Sequence, residues 1–160
     1  MGYNFNAAEV YKIAVQIEEN GKQFYEESQK KIDVPEVKSL FSELAKQEIE
    51  HKHRFESLMA QLPSESSTPT VWDPENELDK YIKMMADDHI FVADVKAQIA
   101  GIRDAKSALK MAIEFEKDSV LFFLSLEDAV SGKDQETIKI LVKEEQAHLK
   151  RLTLELMKLK

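Results

Sequence analysis

Four stretches of this chain repeat apolar residues at three- and four-residue steps, and each repeat is broken at one level by an acid, in two cases joined by a histidine. The period is that of an amphipathic helix, so the chain must pack long helices through one face of each. The first stretch reads from 7 to 30. Asn6 with Glu9 forms a capping box, and Val10, Ala14, Ile17, Gly21, Phe24 and Tyr25 follow on one side. A second opens at Asp33 with Glu36 and tolerates Pro35 in its first turn. It carries Val37, Leu40, Phe41, Leu44, Phe55 and Leu58 before stopping at Leu62-Pro63. The third begins after Asp104, shows Ala108, Leu109, Ala112, Ile113, Val120 and Phe123, and stops near Ser131-Gly132. The fourth follows Asp134 with Ile138, Leu141, Val142, Leu149 and Leu152.

The first connection and the third are short, whereas the second is long. From Pro63 to Glu75 the chain turns to Ser, Thr and Pro, and from Glu77 to about Ala100 a short helix and irregular chain are expected. Two hairpins, 7–62 and 105–160, joined by a crossover over 63–103, make one all-α domain spanning 1–160. That connectivity matches a ferritin-like four-helix bundle better than a simple up-and-down bundle. An internal duplication agrees. A shift of 98 residues lays Gln16-Ile17-Glu18 on Glu114-Phe115-Glu116, Gly21 on Ser119 and Phe24 on Phe122; a shift of 97 lays Phe41 on Ile138, Leu44 on Leu141, Glu48 on Glu145 and His51 on His148.

Composition narrows the chemistry. With no cysteine there is no disulfide, thiolate zinc site, cysteine-held iron–sulfur cluster or rubredoxin-type electron relay within this chain. The 30 acidic against 22 basic residues give a net charge of −8, which disfavours nucleic acid and anionic membrane as partners. The longest apolar run, Val120 to Leu124, is far short of a membrane span, and Met-Gly-Tyr-Asn-Phe-Asn has neither a basic apolar leader nor a myristoylation signal. A soluble cytoplasmic protein is the expectation.

The acids that interrupt the stripes carry the functional reading. At 100° per residue, Glu48 and His51 fall on the line through Phe41, Leu44, Phe55 and Leu58, and Glu145 and His148 interrupt the stripe of Leu141, Leu149 and Leu152. Glu18 lies among Ala14, Ile17, Gly21 and Tyr25, and Glu116 among Ala112, Ile113, Val120 and Phe123. Four carboxylates and two imidazoles thus face one core, each near mid-helix, where antiparallel helices meet. Unpaired buried carboxylates repel one another and take up protons, whereas two divalent cations would neutralise them. No Lys or Arg occupies these stripes to do so. One Glu from each of two helices and Glu-x-x-His from each of the other two is a di-metal arrangement suited to iron or manganese, with zinc as a further candidate. A third such pair, Glu50 and His53, shares its face with Glu43, Lys46 and Arg54 and reads as solvated surface.

The phrases Ile17-Glu18-Glu19-Asn20-Gly21-Lys22-Gln23-Phe24-Tyr25, Glu48-Ile49-Glu50-His51, Ile113-Glu114-Phe115-Glu116-Lys117-Asp118-Ser119 and Glu145-Gln146-Ala147-His148 resemble the four ligand helices of the rubrerythrin-like branch of the ferritin-like superfamily. The resemblance implies two iron ions bridged by Glu48 and Glu145, with His51 and His148 as one terminal ligand each and Glu18 and Glu116 as the remaining carboxylates. It further implies reduction of hydrogen peroxide, or of dioxygen, with electrons from an external donor protein. Rubrerythrins proper carry a four-cysteine rubredoxin-like domain, which this sequence lacks, and an additional Glu three residues from the first on the third ligand helix, where this chain has Ile113 and Ser119.

Several residues have two readings. Tyr25, seven residues after Glu18, is placed to hydrogen-bond a metal ligand or to fill the core. Gly21 and Ser119 either leave room for a small oxidant or permit close helix contact. Trp72 is read as an anchor of the crossover and His89 as a surface or capping residue. Two other functions compete with peroxide reduction: oxidation of Fe(II) for storage or transfer, and a non-catalytic bundle stapled by metal. A homo-oligomer, a dimer first, is the expected assembly.

Overall fold

The computed structural model describes residues 7–62 and 95–159, with the isolated positions 75, 77, 80, 81 and 84. Asn6, Trp72 and His89, and with them the expected first cap and most of the crossover, lie outside the described residues. Five α-helices are present among those described: α1 (Ala7–Ser28), α2 (Pro35–Ala60), α3 (Val95–Ala100), α4 (Ala105–Ala129) and α5 (Gly132–Lys158). A single 3-10 turn, Gln29–Lys31, ends the first. None of them is long and apolar enough to cross a membrane.

Helix starts follow local chemistry, with two departures from expectation. At α4 the reading holds: Asp104 accepts from the Ser107 amide at 2.8 Å, and Ser107 Oγ accepts from the Asp104 amide at 3.1 Å. At α2 the cap is Val34, extended at φ −86° and ψ 112°, and no side chain caps the helix. The cause is Pro35, whose ring disfavours the helical region for its predecessor and so fixes the first turn one residue past Asp33. The last helix starts at Gly132, not after Asp134, because Gly132 takes φ +64°, a left-handed conformation open to glycine. Asp134 falls within the first turn, where its Oδ2 accepts a 2.8 Å hydrogen bond from the buried Tyr11 hydroxyl.

α1 packs along α2 and α4 along α5, and the two hairpins meet with α1 against α4 and α2 against α5. The short α3 lies on α1, where Lys31 Nζ donates to the Ile99 carbonyl at 2.8 Å. Apolar side chains from all four long helices form one core. Two aromatic groups stand out in it. Tyr25, Phe24, Phe41 and Phe115 interlock, with Tyr25 edge-on to Phe41 at 5.0 Å; Tyr11, Phe55, Phe122 and Phe123 form the other, with Phe55 and Phe123 at 5.0 Å.

Gly21 takes the close-contact reading. A Cβ there would meet Phe115 Cζ at 2.5 Å and Glu48 Oε2 at 2.9 Å. In an open helix Gly→Ala gains about 1 kcal/mol from backbone propensity, but here the added methyl displaces a buried ring and a carboxylate, at a cost of about 1–3 kcal/mol. Gly21→Ala is therefore expected to lower the urea midpoint; an increase would show that the core yields at this point.

Candidate metal centre

Each helix delivers its polar core residues at matching depth. Glu18 and Glu116 are each the twelfth residue of their helices, and Glu48 and Glu145 each the fourteenth. All four carboxylates are fully buried, and His51 and His148 are 2% and 3% exposed. The structure brings all six sequence-predicted residues to one level of the bundle. Within it, ligand atoms of Glu18, Glu48, His51 and Glu145 lie within 4.8 Å of one another, and so do those of Glu48, Glu116, Glu145 and His148. Two groups of four share Glu48 and Glu145. The imidazoles stack face to face, with centroids 5.3 Å apart and planes 11° from parallel.

The inner atoms point at each other without bonding. His51 Nδ1 is 2.6 Å from Glu145 Oε1 and 3.6 Å from Glu18 Oε2, and His148 Nδ1 lies 3.3 to 3.5 Å from oxygens of Glu145, Glu48 and Glu116. Yet both Nδ1 atoms and both oxygens of Glu18, Glu48 and Glu145 lack a hydrogen bond of acceptable geometry. Buried polar atoms are ordinarily satisfied, and here seven oxygens and two nitrogens converge without a hydrogen-bond partner among the described residues. A pair of divalent cations fits this donor set: oxygen and imidazole ligands, four acids for four positive charges, and no Lys or Arg among the inner contacts.

Electrostatics without metal follow from the crowding. Burial, then the charge of neighbouring carboxylates, pushes Glu18, Glu48 and Glu116 well above the usual carboxylate range. Burial opposes ionisation of Glu145 too, but the neighbouring Glu116 carboxyl and the two imidazoles outweigh it and hold Glu145 well below that range. Burial alone would lower the imidazoles; the facing carboxylates instead raise His51 to about 9 and His148 higher still.

Around these six, Tyr25 is fully buried and its hydroxyl donates to Glu116 Oε1. Burial, and after it the charges of Glu116 and Glu48, keep the phenol protonated. Sequence reasoning missed Glu144, whose Oε2 lies 3.0 Å from His51 Nε2 and accepts from Arg54 Nη1 at 2.6 Å. Its position immediately before Glu145 is the only sequence signal, and it does not say which helix the side chain reaches. Glu50 and His53 are exposed, and His53 Nδ1 lies 3.1 Å from Glu56 instead of facing the core.

Two outcomes follow. Glu48→Ala removes a residue common to both groups and is expected to lower the metal bound per chain, while Glu50→Ala leaves it unchanged; equal effects by elemental analysis would refute the register. The second concerns pH. A carboxyl whose folded value is raised stabilises the fold fully below its unfolded value and loses that contribution as pH rises through the folded one. Glu18, Glu48 and Glu116 have this sign, as does His51 through about 9. Glu145 has the opposite sign, its contribution being lost as pH falls through its lowered value; above about pH 6 it is ionised folded or unfolded and adds no slope. The metal-free protein should melt at a lower temperature at about pH 8 than at about pH 6, and bound metal, which needs deprotonated ligands, should reverse that order. Scanning calorimetry with and without metal checks both signs.

The fold is similar to that of a crystal structure from Thermotoga maritima, described as a ferritin-like diiron-carboxylate protein, with a TM-score of 0.67 and 22% identity over 100% of both chains. No curated protein matches the chain. The family model for rubrerythrin matches residues 9–155, the span that holds all six inward-facing residues, and the chain belongs to the rubrerythrin family.

Proposed function

We propose that this protein is a di-iron carboxylate oxidoreductase that reduces hydrogen peroxide to water with electrons from an external donor protein. The observation that carries the reading is the sharing of Glu48 and Glu145 by two four-residue groups, which suits a pair of ions acting together on one small substrate. When bound, the iron pair supplies Lewis acidity and two electrons, and each turnover consumes one peroxide, two electrons and two protons to give two waters. Manganese or zinc fits the same donors, but zinc has no redox chemistry.

The chain's own residues set the conditions. Four carboxylates offset the charge of two divalent ions, and one terminal Glu and one His per group leave coordination positions for substrate. Tyr25 with Phe41, and Tyr11 with Phe55, lie seven residues from Glu18 and Glu48 on either side of the acidic level and place rings above and below it. Tyr25 retains its proton and fixes Glu116 from outside.

The test is stopped-flow mixing of iron-loaded, chemically reduced protein with peroxide or with air-saturated buffer. Reoxidation by peroxide should be faster by about tenfold or more, a barrier difference of about 1.4 kcal/mol, and Tyr25→Phe should slow it by about 10- to 100-fold with iron content retained. Reoxidation no faster with peroxide than with air-saturated buffer would overturn the peroxidase reading.

A further inference from the structure

The six inner residues obey the internal repeat, but those just outside them do not. The shift of 97 that lays Glu48 on Glu145 and His51 on His148 also lays Gln47 on Glu144, Arg54 on Arg151 and Glu43 on Ile140. A carboxylate therefore stands behind His51 where an amide occupies the equivalent place on the other side. The contacts follow this difference. Arg54 donates to Glu144, which lies against His51 Nε2. Arg151, the counterpart of Arg54, turns away and forms a two-pronged pair with Glu43 at 2.9 and 2.7 Å. Among the described residues, the ion-pair contacts of His148 are all made by Nδ1 with the inner carboxylates, and Nε2 has none. Both imidazoles, Gln47, Glu50, Glu144 and Arg151 line one cavity of about 180 Å³ on the α2 and α5 side, in which the only carboxylate contact with an outer imidazole edge among the described residues is that of Glu144 with His51.

We infer that Glu144 is a positioning residue that makes the two metal positions unequal, so that an ion beside His51 is held more tightly than one beside His148. The inference rests on the di-metal reading of the site. Its physical basis is the proton on Nε2. A carboxylate accepting from Nε2–H fixes the tautomer whose Nδ1 lone pair points inward, and it increases the electron density that Nδ1 offers to a cation. Arg54 keeps Glu144 in place for this task. Among the described residues no carboxylate is in ion-pair contact with His148 Nε2, so its ring orientation and tautomer must be organised when the ion binds.

Stepwise addition of cobalt(II) to the metal-free protein, followed by visible absorption, separates the outcomes. Wild type should take up two ions in two resolved steps. Glu144→Gln should weaken the tighter step by about 10- to 100-fold and leave the other in place, and Gln47→Glu should strengthen the weaker one. In the cobalt-loaded protein the Nε2 proton of one imidazole should exchange slowly with water, and Glu144→Gln should make that exchange fast, a change that loss of packing alone would not confine to one ring. Two equal steps in wild type, or equal weakening of both by Glu144→Gln, would overturn the inequality while leaving the di-metal site standing. Fewer than two ions in wild type would overturn the di-metal reading and this inference with it. If Glu144→Gln does not fold, Gln47→Glu decides alone: an unchanged gap between the steps overturns the proposal.

Discussion

The structure depends on how four carboxylates buried at one level are compensated. Among the described residues, Glu18, Glu48, Glu116 and Glu145 have ion-pair contacts only with His51 and His148. Two imidazolium charges cannot neutralise four carboxylates, so without metal the cluster must hold extra protons. The raised values of three acids and the lowered value of the fourth express that sharing. Two divalent cations would replace the shared protons with a fixed charge balance, and a fold that otherwise loses stability as pH rises would then gain a reason to remain closed.

The rest of the core is built around that level. Tyr25 and Phe41 lie seven residues from Glu18 and Glu48 on one side, while Tyr11 and Phe55 lie seven residues away on the other. Because α1 and α2 run antiparallel, these pairs close both ends of the polar layer with rings. Gly21 belongs to the same construction, since only the absence of a Cβ lets Phe115 and Glu48 approach α1. A low-dielectric surround strengthens every interaction inside it, which makes the layer costly without cations and tight with them.

Much of this was legible from the residues because a buried acid on a helical stripe breaks a pattern that solvent-facing acids do not. That argument separated Glu48 and His51 from Glu50 and His53 although both pairs have the same spacing, and the burial of the first and exposure of the second agree. Helix starts were less legible. The Asp33 signal was overridden by Pro35, and the fourth helix began earlier than Asp134 because Gly132 could adopt a left-handed turn. Competing local signals two residues apart cannot be ranked by pattern alone.

By itself, the sequence determined the four helices, the hairpin repeat, the six polar residues facing inward and the exclusion of cysteine chemistry. These follow from a 100° step and from composition, which need no partner helix to be read. Only the tertiary structure decided which atoms meet: that Glu48 and Glu145 are common to both groups, that Tyr25 bonds Glu116, that Asp134 receives Tyr11, and that Glu144 reaches across to His51. Periodicity gives the face on which a side chain lies, whereas the rotation and axial offset between neighbouring helices, set by packing of the whole core, give the partner it finds.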